Sequence, residues 1–145
     1  LKNKKMANRP TKQTCKFVYD FAVDGGSHSA SNQGLTGNGA GVITPADADI
    51  TIPENAIITD CITYVTTAMT SGGSATVAIG CGGAALVAAT AFDNGVFDDE
   101  DVTHTVVADK TTAAARPIIT VATAALTAGV VEVIIEYYLA TSLGA

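Results

Sequence analysis

Two histidines are the first residues in this sequence that could support catalysis. His28 lies between Ser27 and Ser29, and a histidine beside a hydroxyl is the pairing that hydrolases use to activate a nucleophile. Adjacent residues rarely reach hydrogen-bond geometry, and neither an orienting acid nor a strained nucleophile turn accompanies this pair. His104 follows a threonine in an apparent strand, where a packed or surface histidine is expected rather than a metal ligand. We therefore expect no enzyme, with a small hydrolase based on His28 as the alternative.

The acidic run at residues 98–101 is the candidate for metal binding. Calcium takes about six to eight oxygen ligands, and four successive carboxyl groups could supply some of them. The run lacks the alternating spacing and the central glycine of an EF-hand loop, so we expect a solvated loop or a docking patch for a basic segment. Binding of calcium by this acidic run is the alternative. No cysteine or histidine spacing matches a zinc site, and no glycine pair matches a phosphate-binding motif. The prediction is no metal and no cofactor.

Three cysteines, Cys15, Cys61 and Cys81, form no paired motif. An odd number without framework spacing is typical of reduced, packed thiols in a protein that is assembled in a cytoplasm. Cys61 and Cys81 could face each other across a hairpin, although nothing in the sequence requires it.

Most basic residues lie at the start of the chain. The net charge is −6, but six of the eight basic residues precede residue 17, which leaves two cations against all 14 acids in the remainder. Such an arm can contact an acidic neighbour or nucleic acid, or stay a solvated tail. Because the acidic body would repel phosphates, we expect no nucleic-acid partner. The predicted partner-binding residues are Lys2, Lys4, Lys5, Arg9 and Lys12.

The elements that carry these residues are expected to be strands. Val, Ile and Thr are frequent and 14 glycines punctuate the chain, a composition that disfavours long helices. Period-two alternation marks strands at residues 14–24, 75–79, 102–108 and 131–139, and a weaker extended pattern predicts an edge strand at 41–52. Residues 57–70 are a β-rich run with apolar residues on both parities, which suggests a strand that is covered on both sides, twisted or bulged. Residues 117–126 are also expected to form a strand. Glycine-containing turns at 71–74 and 127–129 predict two hairpins. Residues 84–92 fit a short helix or a strand, and residues 27–41 a loop.

These signals predict one all-β domain. About eight strands with turns every ~8–12 residues indicate an antiparallel β-sandwich, jelly-roll-like, with an extended N-terminal arm. The arm spans residues 1–12 and the β-sandwich residues 13–145. No apolar run approaches the ~20 residues of a membrane helix, and no apolar core of a signal peptide follows the basic segment, so no membrane partner is expected.

Several ordered segments resemble a family of small virion structural proteins of tailed bacteriophages. They are KFVYDFAVDGG at 16–26, IPENAIITD at 52–60, TSGGSATVAIG at 70–80, and ITVATAALTAG at 119–129 leading to EYYL at 136–139. The resemblance covers most of residues 14–139, but neither the basic arm nor the acidic run. It implies a capsid decoration (cement) protein or a head fibre on the capsid exterior, and it carries over no catalytic residues.

From this resemblance we expect a homotrimer that binds the major capsid protein and is assembled in the host cytoplasm. The alternative is a head-fibre or tail-associated module that binds a receptor or glycan through residues 27–41. Aromatic residues usually line glycan sites, and the four Tyr and four Phe of this chain lie mostly in predicted strands, which counts against that alternative.

Overall fold

The computed structural model describes residues 11–26, 41–48, 50–98 and 102–139. Within these ranges the chain forms eight strands and two single-turn helices. The strands are β1 (Lys12–Asp20), β2 (Val42–Ile43), β3 (Ala56–Ser71), β4 (Thr76–Cys81), β5 (Ala84–Ala91), β6 (Val102–Lys110), β7 (Ile118–Ala122) and β8 (Leu126–Leu139). The helical turns are α1 (Phe21–Asp24) and α2 (Gly95–Asp98).

The strands form two four-stranded antiparallel sheets. The first sheet has the order β1-β8-β3-β6 and the second the order β2-β7-β4-β5. The predicted all-β sandwich of about eight strands is confirmed. Pairing joins β1 to β8, β2 to β7, β3 to β6 and β4 to β5, so the chain follows one long hairpin wound over two sheets, as in jelly rolls.

The core lies between the sheets and is built by the alternation seen in the sequence. On β1, Cys15, Phe17 and Tyr19 are completely buried, and on β8 Val133 and Ile135 are too. Complete burial of a side chain such as Phe17 stabilises the folded state by about 1.5–3 kcal/mol. The predicted apolar faces are confirmed from Cys15 to Tyr19 on β1 and from Val131 to Tyr137 on β8.

The two predicted hairpins are wrong. β3 and β4, which flank residues 72–75, lie in different sheets, and so do β7 and β8. Residues 127–129 continue β8, and the link from β7 is residues 123–125. Both strands of each pair send apolar side chains into the same core from opposite sides. Periodicity and a glycine turn look the same whether the chain folds back within one sheet or crosses to the other.

The first predicted strand ends early, at Asp20 rather than Asp24. Asp20 caps the helical turn α1, since its Oδ1 accepts a hydrogen bond from the Ala22 N–H at 2.9 Å. The Asp24 carboxylate turns back and accepts from the Asp20 N–H at 2.9 Å. As a result the predicted inward position of Val23 is wrong, because this side chain is 48% exposed.

The remaining strand predictions have mixed outcomes. The long strand β3 carries a register shift between Ile58 and Asp60, so that Ile58 and Cys61 are both buried despite their odd spacing. Residues 84–91 form a strand, which decides between the two alternatives. Of the edge strand predicted at 41–52, the structure forms only β2 (Val42–Ile43), which does lie at a sheet edge. The predicted loop at 27–41, apart from Gly41, and residues 99–101 of the acidic run lie outside the described residues.

Candidate functional site

The candidate site is the side of the first sheet that points away from the core, called the outer face below. Strand register aligns its side chains in rows across β1, β8, β3 and β6. The residues of the outer face that matter here are Lys12, Lys16, Asp60, Ile62, Tyr64, Val102, His104, Val106, Lys110, Glu132, Ile134 and Glu136.

An apolar stripe crosses the outer face. Tyr64 on β3 pairs with Val102 on β6, and Ile62 pairs with Ile134 on β8. Val102 is 57% and Tyr64 43% exposed, while Val106, which is 76% exposed, lies apart from them beyond His104 on β6 and opposite Asp60. Contiguous exposed apolar side chains on a folded protein mark surfaces that contact other molecules.

A row of charges borders this stripe. Asp60 and Glu136 lie directly opposite each other on β3 and β8. Lys12 Nζ contacts Glu136 Oε1 at 3.4 Å, and His104 Nε2 lies 2.5 Å from Asp60 Oδ1. Since a carboxylate only accepts hydrogen bonds, the proton of His104 in this contact is on Nε2. Lys12 and His104 thus flank the two acids on opposite sides.

This row lowers the pKa of Asp60 below its ordinary value. The main cause is the hydrogen bond from His104, followed by one from Thr59, and the positive charge of Lys12 adds to them. The pKa of Lys12 is raised, chiefly by its hydrogen bond to Glu136 and by the charge of that acid. Both groups therefore stay charged over a wider pH range than they would in an unfolded chain.

The predicted partner-binding residues are only partly described. Lys2, Lys4, Lys5 and Arg9 lie outside the described residues. Lys12 is the first residue of β1 and contacts Glu136 of its own chain. Its role toward a partner stays a prediction, and a partner would have to compete with that internal contact.

The catalytic candidates from the sequence are not brought together in the described residues. Ser27, His28 and Ser29 lie outside them. His104 is exposed on an edge strand, and the side chain that contacts it in the described ranges is Asp60 rather than a hydroxyl or a thiol. The described residues also contain no group of three or more His, Cys, Asp or Glu side chains arranged to hold a metal ion.

The three cysteines are buried in the core. Burial raises the pKa of the Cys61 thiol, and mainly burial that of the Cys81 thiol, each to about 12. At neutral pH both are protonated and therefore poor nucleophiles. Because Cys61 is on the first sheet and Cys81 on the second, the sequence-based possibility of a shared hairpin is excluded.

A cleft of about 390 Å³ lies where β1 meets residues 46–47. Its acids are Asp20, Asp24 and Asp47, and each accepts a backbone N–H: Asp47 Oδ2, for example, accepts from Val18 at 2.8 Å. Asp24 and Asp47 tie the end of β1 to the segment before β3, whereas Asp20 caps α1. Their hydrogen bonds give them a structural role.

No family model matches the chain, and no curated protein matches its sequence. Three solved structures share its fold. A chain in the acidic stable capsid structure of Helicobacter pylori bacteriophage KHP30 aligns with a TM-score of 0.53 and 14% identity, covering 89% of this chain and 88% of that one. A chain of the cyanophage Pam1 capsid asymmetric unit gives 0.56 and 17%, covering 90% and 86%. A chain of the capsid of Ralstonia phage GP4 gives 0.51 and 18%, covering 89% and 84%.

The similarity to these three capsid chains is one of backbone architecture. Identities of 14–18% retain few side chains in common, while coverage of 84–90% in both directions means that the similarity extends over most of each chain. Within the ranges that the structure describes, no helix is long and apolar enough to cross a membrane.

The outer face is the surface that the sequence did not single out. The alternation in the sequence puts Val102, His104 and Val106 on one side of their strand, which indicates that they share a face. The sequence did not reveal that this side points outward, because β6 shows apolar residues on both of its sides and only the strand order fixes which side meets the core.

Proposed function

We propose that this chain is a structural protein of a bacteriophage virion and acts as a capsid decoration (cement) protein. In this proposal it binds the major capsid protein on the outer surface of the shell as a homotrimer, and it has no enzymatic role. The observation that supports it most is the fold, which is shared over most of the chain with chains of three phage capsid structures at no more than 18% identity. The sequence resemblance to small virion proteins of tailed phages is a separate support.

The physical properties of the fold suit a shell protein. The core is continuous between two sheets, and the described cysteines are buried thiols, so the domain can form in the reducing cytoplasm of a host. A protein that binds only the assembled shell stabilises that shell by mass action. Many copies binding weakly at symmetric positions would therefore strengthen the particle.

The basic arm is proposed to add contacts with neighbouring subunits. Lys2, Lys4, Lys5 and Arg9 carry four positive charges within nine residues, and an acidic protein surface is the partner that such a segment would bind. Lys12 differs from them, because it already contacts Glu136. We therefore expect the four basic residues of the arm that precede Lys12 to contribute more to shell binding than Lys12 does.

The test is co-sedimentation of the purified chain with capsids assembled without it. The proposal expects saturable binding, trimers in solution, and density for the chain on the outside of the reconstructed particle. Failure to co-sediment with capsids at any stage of maturation would contradict a decoration role. Density on a fibre or at the tail would favour the head-fibre or tail-associated alternative.

The arm is tested in the same assay by charge removal. A variant with Lys2, Lys4, Lys5 and Arg9 all replaced by Gln should bind capsids more weakly and with a smaller dependence on salt concentration. Lys12→Gln is the matched control and should bind almost as the unaltered chain does. Equal binding by all three proteins would remove the arm from the proposal without affecting the rest of it.

A further inference from the structure

Exposed apolar side chains are concentrated on the outer face. Five large hydrophobic side chains are exposed in the described residues, and three of them, Tyr64, Val102 and Val106, lie on this face. The other two, Val23 and Ile50, lie in α1 and in the segment before β3. Two of the three are on β6, an edge strand, where a neighbouring molecule can approach from the face and from the side.

The outer face is also nearly balanced in charge on an otherwise acidic molecule. It holds three lysines, Lys12, Lys16 and Lys110, and four carboxylates, which are Asp20 on β1 and three on β3 and β8. The described ranges contain ten acids and four cations in total, so the rest of these ranges holds six acids against Arg116 alone. Lys16 Nζ contacts Glu132 Oε1 at 3.0 Å, which neutralises charge locally as Lys12 does at Glu136.

This distribution of charge favours a second copy of the chain as the partner. Two acidic bodies repel each other through most of their surfaces, whereas the outer face carries nearly equal numbers of positive and negative side chains and brings little net charge to a contact. Four strands spaced ~4.8 Å apart and about seven residues long at ~3.4 Å each give roughly 450 Å² per copy. A contact that covers this face and an equal area on a different surface of the neighbouring copy, as the rotation in a trimer requires, buries about 900 Å² in total, slightly below the about 1,000 Å² of specific interfaces.

We propose that the outer face is the surface through which this chain associates with a second copy, with Tyr64, Val102 and Val106 as its apolar anchors. This inference rests on the proposed function in one respect, because the associated copies are the subunits of the proposed homotrimer. Apolar side chains gain free energy when a neighbour covers them, and ion pairs within the same chain leave few charges that a neighbour must neutralise.

The experiment compares matched pairs of substitutions in the full chain. Val102→Asp with Val106→Asp places two charges on the outer face, and Val23→Asp with Ile50→Asp places two on exposed apolar sites elsewhere. Sedimentation velocity over a range of concentrations should show at least a tenfold rise in the dissociation constant for the first pair and little change for the second. Val102→Thr with Val106→Thr keeps the β-branched shape and should weaken association without affecting the fold, as checked by circular dichroism.

Each outcome separates this inference from the proposed function. The inference is overturned if association survives both outer-face variants or if the chain is monomeric at every concentration. It is also overturned if the control pair weakens association as much as the outer-face pair does. A chain that associates through this face but never co-sediments with capsids contradicts the decoration role alone. An outer-face variant that stays associated yet loses capsid binding would assign the face to the shell contact and overturn self-association.

Discussion

Asp60 and Glu136 are two carboxylates directly opposite each other on neighbouring strands of the first sheet. Like charges in this position repel and weaken the pairing of strands. Lys12 contacts Glu136 on one side and His104 contacts Asp60 on the other, so Glu136 lies beside a positive charge and Asp60 accepts a hydrogen bond. Lys12 and His104 therefore offset the repulsion between the two acids, and the four side chains together extend across the sheet from β1 to β6.

The row predicts the titration of Asp60. Its pKa lies below the ordinary 3.8 mainly because His104 donates a hydrogen bond to it. A carboxyl group whose pKa is lowered by folding stabilises the fold above its ordinary pKa, and this contribution is lost as the pH falls through the lowered value. His104→Ala should raise the pKa of Asp60, as followed by carboxyl ¹³C chemical shifts in an acid titration.

Lys16→Ala is the control for that titration. Lys16 contacts Glu132 and is not among the groups that shift the pKa of Asp60. The variant should leave the Asp60 titration unchanged. An Asp60 pKa that ignores His104→Ala, or that moves as much with Lys16→Ala, would contradict the hydrogen bond as the cause.

The sequence contained most of the fold, and its failures have a common cause. Alternation located β1 and β8 because a strand between core and surface must alternate, and these residues carry that requirement locally. Sheet membership is different. β3 and β4 were assigned to one hairpin although they lie in different sheets, since pairing partners are chosen by the whole core and not by the glycine turn between the strands.

The candidate site was harder to predict for a similar reason. Tyr64 and Val102 are 38 positions apart in the sequence, and they become neighbours only when β3 pairs with β6. The register shift near Asp60 also changes which side of β3 points outward. Period-two reasoning gives the two sides of one strand, but not the strands that complete a surface.

A second prediction concerns the thiols. Cys61 and Cys81 are buried and their pKa values are raised to about 12, so they should not react with a thiol reagent at pH 8 in the folded protein. They should react rapidly in denaturant. Val106→Cys introduces a thiol at a highly exposed position and is the positive control, which should react in the folded state. Fast labelling of the unaltered folded chain would show that its core opens readily.

Alkaline pH should destabilise the protein for the same physical reason. The ordinary pKa is 9.0 for the two thiols and 10.0 for Tyr19, and burial raises all three in the fold. Because these groups deprotonate more readily in the unfolded chain, their full contribution to stability is present below the ordinary pKa values. That contribution declines as the pH rises above about 9. Urea unfolding between pH 8 and 11 should show a falling midpoint, and a constant midpoint would contradict the burial of these groups.

A fourth prediction uses two glycines in different surroundings. A Cβ at Gly26 would overlap the backbone carbonyl of Leu126, whereas a Cβ at Gly72 would meet no atom within 4 Å. Gly26→Ala should therefore reduce the free energy of unfolding by about 1–3 kcal/mol, as overpacking against a backbone does. Gly72→Ala should change it by about 0.5 kcal/mol or less, as surface changes do. Thermal unfolding of both variants measures the difference, and equal effects would refute the close approach at Gly26.

The last prediction concerns Asp24, a buried carboxylate that joins two segments. It is 1% exposed, and its oxygens accept hydrogen bonds from the N–H groups of Asp20 at 2.9 Å and Ala46 at 2.8 Å. Asp24→Ala leaves both donors without this acceptor, which costs about 1–3 kcal/mol for each one that water cannot reach. Asp24→Asn keeps one acceptor oxygen and should lose less. Asp93→Ala removes an exposed acid and is the control, which should unfold as the unaltered chain does. In chemical denaturation Asp24→Ala should lose the most stability, Asp24→Asn less and Asp93→Ala none. This order tests whether Asp24 holds α1 against the segment before β3.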